Sequence, residues 1–299
     1  MLDVDRLRVL AAVSRTGSVT AAARELHYSQ PSISHHMARL EVETGATLTQ
    51  RVGRGIRLTD AGRILAERAQ EILGRLDAAE HELAAHVGLR AGKVRVATFA
   101  SAMLVLIPRV VELLAAEHPG LELDLTDTHP PEAMQMLRAG AVDIALTYRY
   151  DDDEEPGGVR QVPLFTDPTC LITPAGDPGR AVVDHRDSGW ITGCQRVREG
   201  LLAACAREGF VPRVTASTDD IAAIQTLVAS GLGVALIPQL ALRAHQVAGV
   251  DVHTVPGSAR HVVAATFGEP PDPPPTRAVL AALQHVSSTV TLAPAVVTR

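Results

Sequence analysis

The segment after Ser29 concentrates side chains that form hydrogen bonds to nucleic-acid bases and phosphates. It reads Gln30-Pro31-Ser32-Ile33-Ser34-His35-His36-Met37-Ala38-Arg39. Glutamine pairs with adenine edges, serine reaches bases or phosphates, and arginine binds guanine or phosphate. These residue types at the front of a helix indicate DNA contact, although a solvated polar helix face has a similar composition.

A glycine-rich basic hairpin follows this segment. Residues 48–59 read as two short strands, in which Arg51, Arg54 and Arg57 alternate with apolar or glycine positions. A two-stranded wing beside a helix grips the DNA backbone, and Arg54 at its tip is placed to enter the minor groove. The hairpin therefore favours the DNA-binding interpretation of the preceding segment.

Glycine and serine mark the ends of three helices that would position these groups. Gly17 suits a C-cap after a first helix, Ser18 an N-cap before a second, and Ser29 an N-cap before a third. The third helix is predicted to extend to about Glu43. Its buried side carries residues spaced by four and three positions: Ile33, Met37 and Leu40.

A long helix is predicted from Thr59 to about Val87, because this stretch contains no proline. Apolar residues recur in it by alternating steps of four and three, which is the period of a coiled coil. We interpret this seam as a dimerisation stalk, and the alternative is a helix that packs on its own domain. The seam residues are Leu65, Ala69, Ile72, Leu76, Ala79 and Leu83.

Beyond residue 92, short apolar strands alternate with helical stretches, which is typical of a parallel α/β sheet. Strands are predicted at 93–97, 121–126, 142–147, 161–165, 169–173, 189–192, 213–217, 233–237 and 261–267. Helices are predicted at 104–117, 132–138, 197–208, 220–230 and 276–285. Two α/β lobes joined by crossing strands would enclose a cleft.

Ligands of open α/β sheets bind beyond the carboxyl ends of the strands. Turn and cap chemistry explains each polar residue there when it is taken alone, but together these residues converge on one mouth. The predicted effector-binding residues are Thr98, Ser101, Thr128, His129, Arg149, Cys194, Gln195, Thr218 and Asp219.

The head resembles that of the LysR-type transcriptional regulators. The matching stretches are residues 7–13, Gly17-Ser18-Val19-Thr20-Ala21-Ala22-Ala23-Arg24-Glu25-Leu26, Ser29-Gln30-Pro31-Ser32-Ile33-Ser34, Leu40-Glu41 and residues 51–62. The resemblance places Gln30, Pro31, Ser32, Ser34 and His35 on the DNA. With Ser18, Thr20, His36, Arg39 and the three wing arginines, they form the predicted DNA-binding set.

Two positions depart from the family pattern. His35 stands where the family commonly has arginine, and Thr49 stands where it commonly has phenylalanine. A neutral histidine makes a weaker phosphate contact than arginine, and threonine leaves less apolar packing under the wing.

The resemblance extends more weakly through the body. Residues 138–146 and 229–238 match the family, and Ser101 matches its usual hydroxyl residue at the first effector-contact position. The resemblance implies a small organic effector, often a carboxylate, and a homodimer or homotetramer on double-stranded operator DNA. RNA polymerase is a further candidate partner.

These observations predict an architecture of three parts. An N-terminal all-α winged helix-turn-helix occupies 1–58, and a long linker helix for dimerisation occupies 59–88. The C-terminal α/β effector domain, 89–299, has the two-lobed plan of periplasmic binding proteins. Its lobe I comprises about 89–164 and 267–299, and its lobe II comprises about 165–266.

Charge is distributed unevenly along the chain. Residues 1–58 contain eight arginines and five acidic residues, a net charge of +3, whereas the whole chain carries −6. Such an asymmetry is typical of a basic reading head on an acidic body. The N-terminus lacks the pattern of a signal peptide and no apolar run is long enough for a membrane span, so we expect a cytoplasmic protein without a membrane partner.

Two other classes of protein fit parts of the sequence. An enzyme could use Cys194 as a nucleophile, but no spacing pairs it with a histidine, and no G-x-S-x-G, H-E-x-x-H or P-loop motif occurs. The three cysteines also lack metal-ligand spacing, so neither enzyme activity nor a metal or cofactor is expected. A solute-binding protein shares the two-lobed plan, but it would need an export signal and would have no use for the head or the stalk.

Overall fold

The computed structural model describes residues 2–52, 55–86, 92–151, 153, 159–268 and 270–290. The chain divides into two compact units, Met1–Gly92 with Met134–Asp143, and Lys93–Ala133 with Ile144–Arg299. Each unit has apolar side chains buried in cores of its own.

The first unit begins with three helices whose ends follow the predicted caps. They are α1 (Val4–Thr16), α2 (Val19–Glu25) and α3 (Gln30–Thr44). Gly17 ends α1 in the left-handed conformation, with a φ of 65°. The hydroxyls of Ser18 and Ser29 accept hydrogen bonds from the backbone N–H groups of Ala21 and Ser32, donors that a helix N-terminus otherwise leaves unpaired.

One apolar core holds these helices together. Ile33, Met37 and Leu40 of α3 are buried in it with Leu7 and Leu10 of α1, as the spacing of apolar residues predicted. The polar residues of α3 are therefore turned toward solvent.

The predicted wing follows as an antiparallel hairpin of β1 (Thr49–Val52) and β2 (Gly55–Leu58). Glu41 fixes its base, because one carboxylate oxygen accepts hydrogen bonds from the N–H groups of Leu48 and Thr49 at 2.8 and 3.0 Å. The Thr49 hydroxyl donates to the same oxygen at 3.2 Å. Thr49 thus contributes a hydrogen bond at the position where a phenylalanine would contribute apolar packing.

Helix α4 spans Asp60–His86 and begins against the base of the wing. A Cβ atom added to Gly62 would lie 2.0 Å from the carbonyl oxygen of Leu48, so only glycine permits this approach. The helix therefore holds the wing at a fixed distance from its own first turn.

The predicted dimerisation seam divides in two along α4. Leu65 and Ala69 pack into the core of the head, and Ala69 is fully buried. These two residues therefore pack on their own domain. The alternative interpretation of the seam, a helix that packs on its own domain, applies to this part of α4. The later seam residues are exposed: Ile72, Leu76, Ala79 and Leu83.

The second unit is built on one mixed sheet of eight strands. They are β3 (Lys93–Thr98), β4 (Glu122–Asp127), β5 (Ile144–Arg149), β6 (Val159–Pro174), β7 (Gly189–Thr192), β8 (Arg213–Ser217), β9 (Val234–Pro238) and β10 (Val250–Phe267). Their order is β4-β3-β5-β10-β6-β9-β7-β8.

Two long strands connect two lobes within this sheet. The strands β3, β4 and β5 pair in parallel in one lobe, and β7, β8 and β9 do so in the other. Strands β6 and β10 pair antiparallel with each other over most of their length, and each also enters a lobe, β10 beside β5 and β6 beside β9. They are the crossing strands that join the lobes.

Helices alternate with the parallel strands. They are α5 (Ala100–Val105), α6 (Ile107–Glu117), α7 (Pro130–Arg138), α8 (Gln195–Arg207), α9 (Ile221–Ala229), α10 (Gln239–Ala244) and α11 (Pro274–Thr289). Lobe I has one core, which includes Ile144 and Leu283, and lobe II has two, around Ile191 and around Trp190.

Several predictions for this region were wrong in detail. Residues 104–117 form parts of two helices, because Pro108 in the first turn of α6 has no N–H with which to continue α5. The strands predicted at 161–165 and 169–173 are one strand, β6, and the return strand begins at Val250 rather than at 261. The sheet is consequently mixed rather than parallel, and α10 was not predicted.

The contact between α4 and the wing predicts the effect of Gly62→Ala. The new methyl group meets a backbone oxygen that no rotamer change can move, so we expect a loss of about 1–3 kcal/mol in the free energy of unfolding of the head. Thermal unfolding measures it, with Glu67→Ala at an exposed site of α4 as the control, expected within about 0.5 kcal/mol of the parent. Equal stability of both variants would contradict the close approach.

Candidate DNA interface and effector cleft

The predicted reading residues of α3 lie on the face opposite its buried side. Gln30, Pro31, Ser34, His35 and Arg39 are exposed, and Ser32 is half-buried. In the preceding helix Thr20 is exposed, while the hydroxyl of Ser18 caps α2. The head therefore presents a row of hydrogen-bonding side chains at the N-terminal half of one helix.

His36 differs from the other residues of this row. Its ring stacks on that of Tyr28, with centroids 5.7 Å apart and planes inclined by 12°. Its Nδ1 is buried and finds no hydrogen-bond partner among the residues that the structure describes. The stack ties the turn before α3 to the helix itself, so we interpret His36 as a residue that positions the reading face.

Every acidic residue of the head is engaged by a group of the head. Four of them form ion pairs with Arg6, Arg8 or Arg15, and Glu41 holds the base of the wing. Three arginines form no ion pair within the described part of the chain: Arg24, Arg39 and Arg57. Their charge remains available for phosphates, because no neighbouring carboxylate neutralises it.

The wing arginines are described only in part. Arg57 is exposed on β2. Arg54 lies outside the described residues, and the side chain of Arg51 does as well, although its backbone belongs to β1.

In the second unit, the loops at the carboxyl ends of the parallel strands come together. The N–H of Thr128 donates to the carbonyl of Thr98 in lobe I, and the N–H of Thr218 donates to the carbonyl of Thr192 in lobe II, both at 2.9 Å. Between the lobes, Nε2 of His129 lies 3.5 Å from a carboxylate oxygen of Asp219. His129 and Asp219, one predicted residue from each lobe, thus meet across the cleft.

One of the predicted effector-binding residues, Arg149, faces away from the cleft. Successive side chains of a strand point to opposite faces, and Tyr148 and Tyr150 occupy the cleft face of their strand. Arg149 between them therefore lies on the other face, beside its cross-strand neighbour His261. Gln195 is exposed and donates to Glu199 one turn further along α8.

An ion pair that the sequence did not indicate lies at the base of the cleft. Arg260 of β10 and Asp167 of β6 are direct cross-strand partners, and they are 4% and 0% exposed. Nε and Nη2 of Arg260 both lie 2.8 Å from one Asp167 oxygen, and the other oxygen accepts from the N–H of Leu240 at 2.9 Å. Nη2 also donates to the hydroxyl of Ser101 at 2.9 Å.

Aromatic rings enclose this guanidinium. It lies 4.8 Å from the centroid of Phe99 and 4.4 Å from that of Tyr148, both distances at which a cation attracts a ring face. Burial raises the pKa of the Tyr148 hydroxyl, so this group is a neutral donor at physiological pH. Burial also raises the pKa of Asp167, an effect that Arg260 and the N–H of Leu240 oppose.

A second cation closes the cleft from lobe II. Arg196 at the start of α8 forms an ion pair with Asp153, and its guanidinium lies 5.1 Å from the ring centroid of Tyr150. Cys194, the N-cap residue of the same helix, is half-buried.

The two units together define a class of protein, a DNA-binding regulator with a winged helix-turn-helix head and a two-lobed ligand-binding domain. Residues 4–63 match the bacterial regulatory helix-turn-helix proteins of the lysR family, and residues 88–288 match the LysR substrate binding domain. The chain belongs to the LysR family of transcriptional regulators. The predicted family and fold class are confirmed, and the matching proteins are regulators rather than enzymes.

Known relatives agree with this assignment. The uncharacterised regulator YcgK of Bacillus subtilis is 28% identical, with 81% of this chain and 82% of that protein aligned. The crystal structure of the LysR family regulator CbnR superposes with a TM-score of 0.66 at 20% identity, covering 96% of this chain and 99% of that one. CbnR complexed with its target DNA gives a TM-score of 0.64 at 21% identity over 95% and 100% of the chains. Among the described residues, no helix combines the length and the apolar character that crossing a membrane requires.

The environments of the three cysteines predict different reactivities. Burial raises the pKa of Cys170 to about 12 and that of Cys205 to about 11, so at pH 8 about one in ten thousand and about one in a thousand of these thiols are ionised. We expect a disulfide reagent to label one thiol of the native protein quickly and all three after unfolding. Cys194→Ser is the control and should abolish the fast reaction. Two fast thiols in the native parent would contradict the burial of the other pair.

Proposed function

We propose that this protein binds double-stranded operator DNA as a homodimer or homotetramer and that a small organic effector in the cleft of the second unit modulates the binding. The first part rests on one observation: the head engages all its acidic residues internally, and it leaves exposed both the polar face of α3 and three arginines, one each on α2, α3 and β2, that have no acidic partner among the described residues. Because its operator DNA lies in the cytoplasm, we propose that the protein is cytoplasmic.

The oligomer would form through the exposed part of α4. Ile72, Leu76, Ala79 and Leu83 continue the coiled-coil period beyond the residues that the head buries. Two heads on one stalk read two half-sites, and the second contact gains from the effective concentration that the first creates. RNA polymerase is the partner through which such an oligomer would act at a promoter.

The effector would bind where the loops of both lobes meet, between Ser101 and Thr128 on one side and Cys194 and Thr218 on the other. Its binding would favour one arrangement of the lobes, and in an oligomer this shifts the spacing or the angle of the paired heads. The occupancy of the operator or the bend of the bound DNA then changes.

The reading face predicts two distinguishable losses of DNA binding. Gln30→Ala should relax the preference at one base pair by about 1–3 kcal/mol, because a direct base contact is removed. Arg57→Ala should weaken binding to every sequence and lower the slope of log K against log salt by about one, because a phosphate contact is removed. Arg15→Ala, whose arginine is already paired with Glu25, is the matched control and should keep the parent slope.

Binding assays at several salt concentrations, on the upstream DNA and on single-base variants of it, separate these effects. If Gln30→Ala and Arg57→Ala both behaved like Arg15→Ala, the reading surface would be assigned wrongly.

The cleft predicts an effector response that passes through Ser101. We expect a small metabolite to change the footprint or the bend angle on the upstream DNA, and Ser101→Ala to require about three- to tenfold more of it, as the loss of one hydrogen bond implies. Nuclease footprinting with a metabolite panel measures both. The mechanism fails if every compound that binds the protein leaves footprint and bend unchanged.

A further inference from the structure

One aromatic side chain at the start of the reading helix is left at the surface. Among the tyrosines, the phenylalanines and the tryptophan of the described chain, only Tyr28 is exposed, at 43%. It takes no part in the core of the head, which is built from aliphatic side chains. Tyr28 was not among the predicted DNA-binding residues, so neither the core nor the predicted reading set accounts for it.

The backbone of Tyr28 is fixed by the end of the preceding helix. Its N–H donates to the carbonyl of Ala23 at 2.8 Å. His27 before it adopts the left-handed conformation, with a φ of 56°, which is uncommon for a residue other than glycine. Ser29 after it is the N-cap of α3. The turn between α2 and α3 therefore determines where the side chain of Tyr28 begins.

The ring of Tyr28 is held against the polar face of α3. It stacks on His36, and the ring of His36 meets that of His35 edge-on, with centroids 6.4 Å apart. Tyr28 thus lies beside side chains that are predicted to contact DNA. Its hydroxyl has no hydrogen-bond partner among the described residues, although a phenol both donates and accepts. The head consequently offers a donor whose position the stack restricts.

The surroundings of this hydroxyl favour a phosphate as its acceptor. In a helix-turn-helix, the first helix of the motif crosses the DNA backbone and the second enters the major groove, and Tyr28 lies in the turn between them. Within the described residues, neither Arg24 of α2 nor Arg39 of α3 forms an ion pair. Glu25, the carboxylate nearest in sequence, is paired with Arg15. A phosphate that approached this turn would meet cations without acidic partners.

We propose that Tyr28, positioned by His36, is a further DNA-contacting residue whose hydroxyl donates a hydrogen bond to a phosphate of the bound duplex. This inference rests on the proposed function, because it assumes that the exposed face of α3 is turned toward the DNA. A phosphate contact fixes the register of the head on the duplex and carries no base preference. Because tyrosine is neutral, the contact adds affinity without adding to the salt dependence.

Tyr28→Phe tests the hydroxyl alone, because the ring and its stack on His36 persist. We expect this variant to bind DNA about three- to tenfold more weakly than the parent, as the loss of one hydrogen bond implies. The loss should be the same on the upstream duplex and on its single-base variants. The slope of log K against log salt should equal that of the parent, in contrast to Arg57→Ala.

Duplexes that carry a single methylphosphonate locate the contact, because this group replaces one phosphate by a neutral analogue. At one position in each half-site, the parent should lose about three- to tenfold more affinity than Tyr28→Phe, since the variant has no hydrogen bond to lose there. At the other positions the two proteins should lose equally. Arg15→Ala is the control and should lose affinity at the same positions as the parent.

Variants of His36 test its positioning role. His36→Ala removes the stack and should abolish the extra loss at the Tyr28 phosphate, whereas His36→Phe keeps a ring beside Tyr28 and should retain it. Thermal unfolding of each variant verifies that the head is folded.

The inference is overturned if Tyr28→Phe binds like the parent, or if its loss is not linked to a particular phosphate. When Gln30→Ala and Arg57→Ala still weaken binding as expected, that result leaves the proposed function standing. If the parent binds the upstream duplex and a scrambled duplex equally, and Tyr28→Phe weakens both, the inference stands and the proposed function falls.

Discussion

The buried ion pair between Asp167 and Arg260 is the constraint on which the ligand-binding unit depends. Two charges removed from water destabilise a fold unless each finds its partners, and here the pair sits directly across the two strands that connect the lobes. Its remaining bonds reach Leu240 at the start of α10 and Ser101 in α5. A slip of one residue between β6 and β10 would leave both charges unpaired, so the pair fixes the register of the connection and holds the base of the cleft in place.

In the head, by contrast, some arginines are exposed rather than buried in an ion pair. Its acidic residues are engaged by internal ion pairs and by the base of the wing, so Arg24, Arg39 and Arg57 face solvent with no carboxylate partner among the described residues. A nearby carboxylate would reduce the attraction of these arginines for phosphate and release fewer counterions on binding. Arg260 is thus buried and paired with a carboxylate, whereas Arg24, Arg39 and Arg57 are exposed and have no acidic partner among the described residues. This difference follows from the placement of a few aspartates and glutamates.

Local signals determined what could be predicted from the sequence. The helix ends and the buried side of α3 were predicted correctly, because each depends on residues a few positions apart. The helix ends followed from Gly17, Ser18 and Ser29, and the buried side followed from the spacing of Ile33, Met37 and Leu40. The long strands and the mixed sheet were missed, because the antiparallel pairing of β6 with β10 joins residues about ninety positions apart and leaves no local trace. Arg149 was chosen over Arg260 for the same reason. Arg149 follows an apolar run and Arg260 precedes one, so the sequence does not distinguish them. Only the pairing of β10 with β5 and β6 shows which arginine faces the cleft.

The proposed function requires that the head bind one particular duplex more tightly than others. Competition binding at moderate ionic strength measures this preference. The DNA upstream of the coding sequence competes with a scrambled duplex of the same length and base composition, and the assay is run with and without a metabolite extract. We predict that the protein prefers the upstream duplex by at least about a thousandfold, as is typical of specific sites. Equal affinity for the two duplexes, with and without the extract, would contradict it.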